Sequence, residues 1–159
     1  NKTLFNNSIC LFFISFSYLS YQQTKVWENS RTLWTDVVEK NENIALAQTN
    51  LGVTFVGEDN VKAKKYFLKS IEIDATFVIP YNNLGYIYLK KNPKKAEEYL
   101  FKALEIDSSY LYIYTNLASL YMKTDKEKAK KYIDKAVSIS PNNGYVKQRV
   151  KTWNALWVK

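Results

Sequence analysis

The stretch Tyr81-Asn82-Asn83-Leu84-Gly85-Tyr86-Ile87-Tyr88 decides the fold, because its key residues return at a fixed step in both directions. Asn83-Leu84-Gly85 is preceded by Asn50-Leu51-Gly52 and followed by Asn116-Leu117-Ala118, 33 residues away each time. The same step carries Phe55 to Tyr88 to Tyr121, and Ala63 to Ala96 to Ala129. It carries Phe67 to Leu100 to Ile133, Ser70 to Ala103 to Ala136, and Ile73 to Ile106 to Ile139. Self-similarity at a period of roughly 20–50 residues is the signature of stacked supersecondary units.

The repeated residues have a packing logic. Gly or Ala at 52, 85 and 118, and at 63, 96 and 129, lets two helices approach closely. Larger residues at 51, 55 and 67 and their equivalents fill the remaining space. The pattern predicts an all-α solenoid of antiparallel helix pairs. First helices are expected near 45–56, 78–90 and 111–123, and second helices near 61–73, 94–106 and 126–139. Asn92-Pro93 and Thr124-Asp125 read as starts of second helices. Asp74-Ala75-Thr76, Asp107-Ser108-Ser109 and Ser140-Pro141-Asn142 read as the ends of the units.

These residues resemble the tetratricopeptide family, whose pattern is W-x2-L-G-x2-Y, then A-x3-F, then P. The second repeat has Tyr81, Leu84, Gly85 and Tyr88, then Ala96 and Leu100. The third has Tyr114, Leu117, Ala118 and Tyr121, then Ala129, Ile133 and Pro141. The first departs, with Gln48 where the aromatic belongs, and Ala75 and Ser108 replace the usual proline. The period is one short of the family's 34. The resemblance implies a scaffold that holds a protein or peptide ligand in a concave groove.

One period upstream, Ser30, Trp34, Val37 and Asn41 take the places of Ala63, Phe67, Ser70 and Asp74. Residues 28–41 therefore read as the second helix of an earlier half-repeat. Downstream, Val146, Val150, Trp153 and Trp157 form one apolar stripe at helical spacing, as a closing helix requires. The expected organisation is an apolar N-terminal helix over 1–25, a half-repeat over 26–44, three repeats over 45–143 and a capping helix over 144–159.

The N-terminal run Ile9-Cys10-Leu11-Phe12-Phe13-Ile14-Ser15-Phe16 continues uncharged to Tyr21. Residues 4–21 read as a membrane helix, although a spanning helix needs about 20 apolar residues. The alternative is an apolar first helix packed on 28–41. Thr24, Trp27, Arg31, Leu33 and Trp34, followed by Asn41, are similar to the junction between the last membrane helix of polytopic glycosyltransferase-like proteins and their C-terminal repeats. That resemblance implies an accessory domain and puts any catalytic part outside this chain. Residue 1 is Asn, as expected of a piece of a longer protein. The expected location is the membrane, with its side open; the alternative is cytoplasmic.

Composition narrows the function. The 159 residues contain no His, which removes Ser-His-Asp and Cys-His nucleophilic systems. One Cys excludes an internal disulfide and a cysteine-rich metal site. No phosphate-binding glycine loop is present, and neither enzyme activity nor a cofactor is expected. The net charge of +8 comes from Lys, and no nucleic-acid motif accompanies it, so nucleic acid is not expected as a partner. The Lys clusters at 62–65, 94–95 and 126–131 fall on second helices and read as solubilising charge on the outer face.

First helices line the concave side of such solenoids. The stripe opposite the core residues is Asn83, Tyr86 and Lys90 in the second repeat, and Asn116, Ser119 and Lys123 in the third. The first repeat offers Asn50, Val53 and Gly57. An Asn amide both donates and accepts, so a row of them suits a peptide backbone. Some members of the resembled family use an asparagine ladder in this way. The competing reading is that these Asn bridge neighbouring helices. Lys90 and Lys123 favour an acidic peptide; the alternative is simple solvation of helix ends.

Overall fold

A computed structural model describes residues 15–158 except 22, 23, 25 and 27. Eight helices follow one another: α1 (Ser30–Lys40), α2 (Ala45–Val53), α3 (Asn60–Ile73), α4 (Val78–Tyr88), α5 (Pro93–Ile106), α6 (Leu111–Tyr121), α7 (Lys126–Ile139) and α8 (Gly144–Trp157). Residues 15–21 are also helical, and no strand occurs among the described residues. The pairs α2–α3, α4–α5 and α6–α7 are the three repeats, and each first helix also touches the next, from α2 through α4 and α6 to α8. That row of first helices is one face of the solenoid.

Small residues permit the pairing. A Cβ on Gly85 would lie 2.6 Å from Leu100 Cγ, and one on Gly52 would lie 2.8 Å from Phe67 Cε1. Ala63, Ala96 and Ala129 are fully buried, as are Phe67 and Leu100. Burying a side chain such as Leu100 contributes about 1.5–3 kcal/mol. The period also appears where the family pattern does not ask for it. Phe55 stacks on Tyr66, Tyr88 on Tyr99 and Tyr121 on Tyr132, with ring centroids 5.7–5.8 Å apart. Tyr121 also donates to Glu97, and burial together with that carboxylate raises the Tyr121 pKa.

Caps set the boundaries. Asp59, Asn92 and Asp125 accept hydrogen bonds from backbone N–H groups in the first turn of α3, α5 and α7. Asp74 and Asp107 close α3 and α5 and accept from Thr76 and Ser109, which lowers both carboxyl pKa values. Between repeats, Tyr81 donates to the Ala75 carbonyl at 3.1 Å and Tyr114 to the Ser108 carbonyl at 2.7 Å. Gln48 makes the same bond to the Glu42 carbonyl at 2.7 Å. The one repeat without an aromatic there thus keeps the contact that ties turn to helix.

At the N-terminal end, Arg31 forms a bidentate pair with Glu58 at 3.2 and 2.7 Å. It also donates to the Thr54 carbonyl at 2.6 Å and lies 4.4 Å from the Phe55 ring centroid. This locks the half-repeat α1 onto the first pair. The expectation of an apolar helix over 1–25 falls largely outside the described residues. Within 15–21, Phe16, Tyr18, Leu19 and Tyr21 are each more than half exposed, so this part is not buried against α1. No helix among the described residues is long and apolar enough to cross a membrane.

Candidate functional site: the face of the first helices

The face made by α2, α4, α6 and α8 holds an open cleft of about 410 Å³. Asn82, Asn83 and Tyr86 supply its α4 wall, and Val53 and Val56 close one end. Tyr110, at the N-cap of α6, and Tyr112, Thr115 and Asn116 form the opposite wall, which α8 extends with Tyr145 and Arg149. Tyr112 meets Tyr145 edge-on at 5.4 Å and Tyr110 at 5.5 Å. Burial, and then the neighbouring Tyr112, raise the Tyr110 pKa. Tyr86 is 50% and Tyr145 60% exposed, so two aromatic faces stand free at the mouth.

Asn116 corrects one expectation. It is only 7% exposed, and its Nδ2 donates to Asn82 Oδ1 at 2.9 Å. Where α4 and α6 touch, a buried amide needs a partner, and the facing Asn82 is within reach. Asn116 therefore bridges neighbouring helices, although one edge still lines the cleft. Asn83 is half-buried on the cleft wall, while Asn50 is half-buried but outside the lining. Ser119 donates to the Thr115 carbonyl at 2.6 Å and is not part of the lining. Lys90 and Lys123 are exposed in the turns just beyond α4 and α6, away from the cleft. Of the expected set, the structure brings together Asn83, Tyr86 and Asn116.

The residue that sequence reading missed is Arg149. Its Nε is buried without a hydrogen-bond partner. The signal was available: 50, 83, 116 and 149 are successive steps of 33, so Arg149 stands in the register of the Asn row. Tyr145 likewise lies one step after Tyr112. The helix α8 closes the stack and at the same time acts as a fourth first helix. The Arg149 guanidinium, in a cleft lined by four tyrosines and three asparagines, can take a carboxylate beside a peptide backbone.

Stacked antiparallel helix pairs whose first helices share one grooved face define the class of α-solenoid interaction folds. Residues 80–110 and 111–143, which hold the pairs α4–α5 and α6–α7, match the family profile of the tetratricopeptide repeat. The search of curated proteins returned no match. Among solved structures, the chain is similar to the Arabidopsis OM64 TPR domain at 18% identity and a TM-score of 0.64, covering 70% of this chain and 95% of that one. It is similar to the first TPR of Spaghetti (RPAP3) bound to the HSP90 peptide SRMEEVD, at 19% identity and a TM-score of 0.63, covering 72% and 94%. MamA aligns over 86% of this chain and 81% of its own, at 19% identity and a TM-score of 0.64. At these identities the likeness is one of fold.

Proposed function

We propose that this protein is an interaction scaffold that holds an extended acidic peptide across α4, α6 and α8. The observation that carries the reading is Arg149, whose side chain lines the cleft beside Tyr145 and is the only cation in that lining. A carboxylate in the cleft would lie beside its guanidinium, with which it can form a charge-assisted pair. Asn83 and the exposed ring of Tyr86 lie on the facing wall, where they can hold backbone and side chain. The repeat fold supports the reading, since a solved structure of the same fold, the first TPR of Spaghetti, is bound to a peptide, SRMEEVD. Selection of acidic partners, assigned from the sequence to Lys90 and Lys123, passes to Arg149.

The experiment is a peptide array screened with the whole chain, in which acidic and amide-matched versions of each 12-residue sequence stand side by side. Acidic spots should bind and their Gln and Asn counterparts should not. Indifference to the acidic residues would reject the reading.

A further inference from the structure

We propose that the edge of the solenoid carrying the turns inside each repeat docks on an anionic lipid surface. Topology places three features on that edge. Every first helix ends there and every second helix begins there, so the turns at 54–59, 89–92 and 122–125 share it. The start of α1 lies there too, because Arg31 reaches the Thr54 carbonyl. So does the end of α8, because Trp157 Nε1 donates to the Met122 carbonyl at 3.1 Å.

The first feature is charge. The middle turn reads Lys90-Lys91-Asn92-Pro93-Lys94-Lys95, and all four lysines are exposed and form no ion pair among the described residues. Lys123 is equally unpaired, while Lys62 and Lys128 sit beside Asp59 and Asp125 at 3.4 and 3.8 Å. The opposite edge carries Glu39, Glu72, Asp74, Glu105 and Asp107, and its lysines Lys40, Lys69 and Lys102 are paired to Asp36, Glu72 and Glu105. The turn edge also holds Glu58, Glu97, Glu98 and Glu127, and the unpaired lysines leave it with an excess of positive charge.

The second and third features are apolar. The chain enters α1 from this edge: Thr32 Oγ1 donates to the Val26 carbonyl at 2.9 Å, which holds residue 26 at the start of α1. In the helical residues upstream, Phe16 and Leu19 are 60% and 65% exposed. At the other end, Leu156 and Val158 are exposed on either side of Trp157, whose ring lies 5.7 Å from Lys126 Nζ. Lysines flanked by apolar side chains match an anionic bilayer surface, where headgroups take the ammonium groups and the acyl boundary takes the apolar ones. Trp at such a boundary is a common anchor. A nucleic acid would satisfy the lysines and leave Leu156 and Val158 in water, which favours lipid.

Flotation of the whole chain with vesicles tests this. Vesicles of phosphatidylcholine alone are compared with vesicles containing about one-third phosphatidylserine, at low and at physiological salt. The protein should float with the anionic vesicles and be released as salt rises. The variant Lys90→Gln, Lys91→Gln, Lys94→Gln, Lys95→Gln should lose at least about 30-fold in partitioning. Its thermal melt should be unchanged, since all four side chains are exposed. Arg149→Ala should float like wild type, which separates this edge from the cleft. Equal flotation with both vesicle types would overturn the proposal. So would an unaffected lysine variant, or lysine-dependent capture of a duplex oligonucleotide without vesicle binding.

Discussion

Asn116 donates through Nδ2 to Asn82 Oδ1 at 2.9 Å across the line where α4 and α6 meet. Both residues are buried, so each amide depends on the other. Asn116→Ala strands a buried acceptor on Asn82 and should destabilise the fold by about 1–3 kcal/mol. Asn83→Ala, half-buried on the cleft wall and in no such pair, should change stability by less than about 0.5 kcal/mol. Urea denaturation of the two variants checks the contrast. Equal losses would mean that the pair does not hold α4 to α6.

Close approach at Gly85 gives a second expectation. A Cβ there would press on Leu100 Cγ at 2.6 Å, and Leu100 is itself fully buried. Gly85→Val should overpack the α4–α5 seam and cost about 1–3 kcal/mol. Gly144→Ala, with nothing within 4 Å of the added carbon, should leave the melting temperature unchanged or raised. A calorimetric scan of each variant distinguishes these outcomes.

The helix pairs were legible because several independent signals share one phase. Small residues at 52, 85 and 118, caps at Asn92-Pro93 and Asp125, and aromatics at 55, 88 and 121 all repeat at 33. The observed bounds of α3, Asn60–Ile73, and α5, Pro93–Ile106, fall within a residue of the expectation. Gln48 looked like a break in the pattern, yet its amide reaches the Glu42 carbonyl as the tyrosine hydroxyls reach theirs. The cleft was less legible. A period fixes which residues share a face, and it does not fix which of them reaches across to a neighbour. Asn116 meets Asn82, not its phase-mate Asn83, because the contact runs diagonally between adjacent helices. Arg149 was hidden because α8 was read only as a cap, so the row of Asn was not continued into it. From sequence Lys90 belongs to the groove and Lys94 and Lys95 to the outer face, whereas the turn at 89–92 and the start of α5 place them together on an edge.

Tyrosine ionisation gives the fold an alkaline limit. Burial is the largest cause of the raised pKa at Tyr99, Tyr110, Tyr114, Tyr121 and Tyr132. Their folded values lie above the unfolded value of about 10, so above that pH the folded state holds more protons. Stability from these groups is full below about pH 10 and falls as pH rises beyond it. Melting temperatures between about pH 9 and 11.5 should therefore decline, and Tyr132→Phe should decline less steeply. A flat profile would contradict the assignment.

The central claim is that Arg149 anchors an acidic ligand in the cleft, and titration calorimetry with a single acidic peptide tests it most directly. The peptide is the best binder from the array, measured against wild type, Arg149→Ala and Arg149→Lys. A charged hydrogen bond is worth about 1.5–3 kcal/mol, so Arg149→Ala should weaken binding at least about tenfold. Arg149→Lys should recover only part of the loss, because the planar fork is gone. An affinity for the acidic peptide that is the same in wild type and Arg149→Ala would contradict the account.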